Sequence, residues 1–195
     1  MPYFATGRVV TVTPDEARVI ADTGNVDGVL SKGAALDVLD IDGALFCALQ
    51  ALARERAPHD LRVFTKHWTS SDGGRSRMVA GDHADFFAGD ELDSALAAVE
   101  ALLLEFRTNP GEVAAILEAA DLPHGLDAES AEAELYEAAS LAAPKTLVEA
   151  NAAFKDAYPG DHLSAAALYA WLVAFATSLR CARSAGEVVV HFAIF

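Results

Sequence analysis

Seventeen consecutive residues without a charge, Leu163 to Leu179, are followed by Arg180 and Arg183 and then, after Gly186, by a strand-like tail to Phe195. A helix that is apolar on all sides must be covered on all sides, so this run is either the centre of a packed core or a membrane span. A span usually needs about 20 residues and carries its aromatic residues near the interfaces. Here alanine dominates, and Tyr169 and Trp171 stand in the middle of the run. The segment is expected to be a core helix from about 162 to 184, closed by Gly186 as its C-cap. No membrane association is expected.

The tail, Val188-Val189-Val190-His191-Phe192-Ala193-Ile194, is the strongest strand signal in the chain, and Val9-Val10-Thr11-Val12 is its counterpart near the other end. Thr13-Pro14-Asp15-Glu16 reads as a helix start: Thr13 can cap, Pro14 suits the first helical position, and Glu16 stands three residues after the cap. That helix is expected to stop near Gly24. A second opens at Asp40 or Asp42 and places Leu45, Leu49 and Leu52 on one stripe. Periodicity is lost over 57–88, where Leu61-Arg62-Val63-Phe64 is a candidate short strand. Further helices are expected over 91–107, over 110–120 with Asn109 as cap, over 128–142 with Asp127 as cap, and from Pro144 to a break at Tyr158-Pro159-Gly160. A strand at each end with helices between implies an α+β fold, mainly helical, with a small sheet in which the N- and C-terminal strands pair. One domain over residues 1–195 is expected.

The net charge is -15, and between Asp82 and Glu137 fifteen carboxylates face a single basic residue, Arg107. A surface of one sign repels nucleic acid and anionic membrane and attracts basic surfaces over about 8 Å. The acidic helical segment at about 89–143 is therefore expected to offer an interaction face, with Asp90, Asp93, Glu105, Glu118 and Glu134, to a basic protein partner, in the manner of an immunity protein. The competing reading is a solvated face that keeps an alanine-rich protein soluble. No nucleic-acid partner is expected, and a homodimer is compatible with the sequence. Cys47 and Cys181 lie far apart in apolar helices, without ligand spacing, and read as reduced core residues of a cytoplasmic protein. The N-terminus has no secretory pattern.

The sharpest chemical pattern is Leu39-Asp40-Ile41-Asp42-Gly43. It resembles the first motif of the haloacid-dehalogenase-like phosphatases, which implies Asp40 as nucleophile and Asp42 as general acid beside magnesium. Val63-Phe64-Thr65 and Gly81-Asp82-His83-Ala84-Asp85 loosely resemble the later motifs. Against this, Asp37 interrupts the segment where that family has a buried strand, and too few residues separate the motifs for its crossovers. The plainer reading makes Asp40 or Asp42 a helix cap. A calcium loop is excluded because Gly43 comes too early and no glutamate closes the register. His59, His67 and His83 with Asp82 and Asp85 lack metal-ligand spacing, so no metal and no cofactor is expected. The stretch from Thr65 to Arg77 is a candidate anion loop through Lys66, His67, Trp68, Arg75 and Arg77. Those arginines could equally meet the acidic helices. No nucleotide loop or nucleophile elbow is present.

The Phe-Ala-Thr opening, Leu39-Asp40-Ile41-Asp42 leading into an aromatic-bearing helix, Tyr158-Pro159-Gly160, and a last helix ending at Gly186 before a terminal strand together resemble the YfbM-like family of small bacterial proteins. The resemblance covers roughly the first fifty and last forty residues. It departs at Gly43 and Phe46, where the family has a lysine and a tryptophan-bearing helix. It implies an α+β fold, a bacterial cytosolic setting, no assigned catalytic residues, and a structural role for Asp40 and Asp42. The expected function is a non-catalytic binding module; the alternative is a magnesium-dependent phosphohydrolase built on Asp40 and Asp42.

Overall fold

The computed structural model describes residues 6–23, 38–41, 77–79, 82–120, 128–157 and 163–194, together with helical residues 45, 48, 49, 51, 52 and 55. Five strands, β1 (Thr6–Val12), β2 (Val38–Ile41), β3 (Arg77–Val79), β4 (Asp82–Phe87) and β5 (Val188–Ile194), form one sheet in the order β2-β1-β5-β4-β3. Every pairing is antiparallel. The two terminal strands pair along their whole length, from Thr6 opposite Ile194 to Val12 opposite Val188. The fold is α+β and mainly helical, as the sequence implied, but the sheet has three more strands than the two termini provide. The short strands β2 and β3 form its edges, where few unpaired backbone groups are left for another chain.

The valine runs of β1 and β5 follow from cover on both faces. Val10, Val12, Val188 and Val190 are buried with Ala17 and Ile20 of α1 (Pro14–Thr23). Val9, Val189, Leu39 and Phe87 point the other way, into a large core built with the remaining helices and with Leu45, Ala48, Leu49 and Leu52. The helix α1 starts as expected: Glu16 Oε2 accepts from Thr13 N at 3.0 Å, and Thr13 Oγ1 accepts from Glu16 N at 3.3 Å.

The helical side consists of α2 (Asp90–Thr108), α3 (Pro110–Ala119), α4 (Ala128–Ser140), α5 (Leu147–Ala157) and α6 (Ala165–Ala185). On α2 the buried residues Leu92, Ala95, Leu96, Val99, Leu102, Leu103 and Phe106 recur at the three- and four-residue spacing of one helical face. The charge-free run becomes α6, which is long and apolar enough to cross a membrane by length and composition, yet has 67% of that window buried inside the molecule. Trp171 and Phe175 are fully buried and stack with ring centroids 5.1 Å apart. Gly186 ends α6 at φ 69°, and the Glu187 amide donates back to Ala182 O at 2.9 Å.

Several expectations change. Asp40 does not open a helix; it lies within β2, directly opposite Arg8. The stretch expected to lack periodicity contains β3 and β4. Its residues are poor strand formers, and the long backbone of β5 supplies the pairing that their side chains do not advertise. The helix expected from Pro144 starts at Leu147, because Thr146 and Glu149 form its capping box with bonds of 3.2 and 3.3 Å. Cys181 is exposed, not in the core. Asp42, Cys47, Asp127, Tyr158 to Gly160, and 61–64 lie outside the described residues.

Candidate functional site

The acidic residues singled out by the sequence have different surroundings. Asp90 is exposed in the first turn of α2 and Glu118 is exposed near the end of α3; neither has a partner among the described residues. Asp93 pairs with Arg183 at 2.7 Å, and Glu100, on the same stripe of α2, pairs with Arg180 at 3.0 Å. Both pairs stand about half exposed, so each contributes well under about 1 kcal/mol. Glu105 accepts from the side chain of Asn109 at 3.0 Å. Glu134 is turned inward: its Oε2 accepts from Ala165 N at 2.9 Å and Ala166 N at 3.5 Å, the first free amides of α6. A residue expected on a docking face therefore helps to cap the central helix.

Asp42 lies outside the described residues, so only the strand positions of the other carboxylates are described. Asp40 of β2 lies in a row with Arg8, Phe192 and Ala84, so three strand spacings, roughly 14 Å, separate it from the β4 residues Asp82 and Asp85. The sheet also lacks the parallel strands on which the phosphatase motif sits. Among the described residues no cluster of three metal-ligating side chains occurs. Lys66, His67, Trp68 and Arg75 lie outside the described residues, and Arg77 opens β3 opposite Ala84. The acidic face of α2 meets Arg180 and Arg183 of α6. His191 is buried, with Val9 and Asp85 as its backbone partners on the two neighbouring strands.

What the sequence did not reveal is a half-open cavity of about 750 Å³ between α2, α4, α5, α6 and the connection after α4. Its α6 wall is Ala166, Tyr169, Ala170, Val173 and Thr177, and the first four are the positions where the otherwise buried helix becomes half-buried. Opposite stand Ala150, Ala153 and Ala157 of α5, Ala138 and Ala139 of α4, and Leu103 of α2. Alanine explains the space. A side chain of one carbon lets a helix pair pack, but where four helices meet around a point it leaves the centre unfilled. Protein interiors rarely tolerate voids much larger than a water molecule, and small-molecule pockets fall at about 300–1,000 Å³. Leu141 lines the cavity while 71% exposed, so it stands at the mouth.

The polar groups of the wall divide into engaged and unengaged. Glu134 caps α6, Glu149 caps α5 with Oε2 accepting from Lys145 N at 2.7 Å, Thr177 Oγ1 donates to Val173 O at 2.8 Å, and Arg180 holds Glu100. Arg107 donates its Nε to Leu103 O at 3.1 Å and has no carboxylate partner among the described residues. The Tyr169 ring lies 5.8 Å from that of Phe106, and burial pushes its hydroxyl above the ordinary value of 10.0, against the pull of the Arg107 charge. It remains a neutral donor at physiological pH. The Lys145 ammonium and Glu137 carboxylate also lack partners among the described residues. Among the described residues that line the cavity there is no serine, cysteine or histidine. An apolar chamber with a few convergent donors is chemistry for holding a molecule.

The signal for this chamber was the pairing of Ala153 with Ala157 and Ala166 with Ala170 at four-residue spacing. Such stripes also occur where helices pack closely, and only the placement of α4 and its connection separates the two outcomes. No family model, curated protein or solved structure matches the chain.

Proposed function

We propose that this protein is a non-catalytic binding module that takes a small, largely apolar molecule into the cavity between α2, α4, α5 and α6. The supporting observation is the size and lining of that cavity: about 750 Å³, walled mainly by alanine with Leu103 and Val173. Burying apolar ligand surface there contributes about 25 cal/mol per Å² before the cost of immobilising the ligand. The neutral fluorophore N-phenyl-1-naphthylamine should bind saturably at one site, with a blue-shifted emission. Ala170→Phe, which adds a ring to the cavity wall, should lower that affinity at least tenfold without lowering the melting temperature. Absence of saturable binding to the wild-type protein would remove this reading.

The docking of a basic protein on the acidic surface is the second reading, favoured by the exposed, unpaired carboxylates of Asp90 and Glu118 and by the net charge of -15. Its expected mark is a basic partner retained at low salt and released at high salt. Kinship with the YfbM-like family and a cytoplasmic setting are proposed on the residues of the terminal segments alone.

A further inference from the structure

Resting on the cavity reading above, we infer that the bound molecule is a carboxylate with a hydrocarbon chain, its head held by Arg107 and Tyr169 and its chain lying along the alanine wall of α5 and α6. Arg107 and Tyr169 stand beside an apolar wall. Of the three carboxylates on the wall, Glu134 and Glu149 already accept from two backbone amides each. Of the three cations, only Arg180 is matched, by Glu100. Arg107 and Lys145 have no carboxylate partner among the described residues, and the Tyr169 hydroxyl stands on the same wall.

Arg107 and Tyr169 are also close enough in space for the arginine charge to act on the phenol, and they come from α2 and α6, which run antiparallel where Asp93 meets Arg183 and Glu100 meets Arg180. A guanidinium offers a planar fork of N–H donors that fits two carboxylate oxygens, and a neutral phenol adds one more. The α5 and α6 wall beside them, Ala150, Ala153, Ala157, Ala166, Ala170 and Val173, offers no polar side chain to a hydrocarbon. A cationic head seated beside Tyr169 would instead be repelled by the Arg107 charge. The -15 charge of the whole molecule opposes an anion at long range, but salt screens that over about 8 Å while the Arg107 contact is direct.

Three ligands with one chain length separate the possibilities by calorimetry: decanoate, decan-1-ol and decyltrimethylammonium, each below its aggregation limit. Decanoate is expected to bind at least tenfold tighter than the alcohol, and the ammonium weakest. Arg107→Met and Tyr169→Phe should each lose most of the preference for decanoate while leaving decanol affinity within about threefold. Melting curves and decanol binding together report that these variants are folded and the chamber is intact. Equal or tighter binding of the alcohol or the ammonium overturns the carboxylate inference but leaves the chamber standing. Binding of none of the three, with no saturable uptake of the neutral fluorophore, overturns both.

Discussion

Two glycines show how differently single residues constrain this chain. Gly186 has φ 69° and ψ 30°, the left-handed conformation of a helix C-cap, whereas Gly89, before α2, has φ 54° and ψ -129°, a region closed to side chains with a Cβ. A Cβ at either position would meet no atom within 4 Å, so the cost of alanine is purely in the backbone. Gly186→Ala should destabilise by about 1 kcal/mol and Gly89→Ala by about 2–3 kcal/mol, as read by urea unfolding. Equal losses would contradict the backbone account. The sequence announces Gly186, which stands between a long apolar helix and a run of valines. It does not announce Gly89, because Ala88-Gly89-Asp90 carries no mark of the angle at which β4 hands over to α2. Asp40 teaches the same lesson: its neighbours suggest a helix cap, and its position opposite Arg8 in the sheet decides against that.

At the scale of elements, caps made within a few residues are legible and caps made across the fold are not. Thr13 with Glu16 and Thr146 with Glu149 each stand three residues apart, and both form reciprocal boxes. The start of α6 uses Ser164, whose Oγ accepts from Ala167 N at 3.0 Å, and also Glu134 from 31 residues away. A carboxylate there satisfies orphan amides and faces the positive end of the helix dipole. Glu134→Gln should therefore cost about 1 kcal/mol in thermal or urea unfolding, and Glu134→Ala somewhat more. A loss near zero in both variants would mean that Ser164 suffices. The strands β3 and β4 were missed for the reason Glu134 was misjudged: His83 and Asp85 lie in a strand beside β5, a partner far from them in sequence, and Asp82 is paired with Val79 of β3.

Over the whole molecule, a net charge of -15 means that the compact state repels itself, and the ion pairs of Arg180 and Arg183 with α2 are too exposed to offset this. Raising the ionic strength from about 0.01 to 0.15 M shortens the screening length from about 30 to 8 Å and should raise the melting temperature by about 2–4 °C, the shift that 1 kcal/mol produces in a domain of this size. A fall would mean that the surface ion pairs outweigh the repulsion. The sequence by itself determined the α+β class, the pairing of the terminal strands, the burial of α6, the start of α1 at Thr13 and the end of α6 at Gly186. These follow from periodicity, β-branched runs and caps, all of which act within a few residues. The tertiary structure alone decided that the sheet has five strands, that Asp40 and the β4 carboxylates lie on separate strands, that Glu134 turns inward, and that alanines on α4, α5 and α6 border a chamber. Each of these depends on which distant segments meet, and a side chain's neighbours across the fold leave no periodic trace in its own stretch of chain.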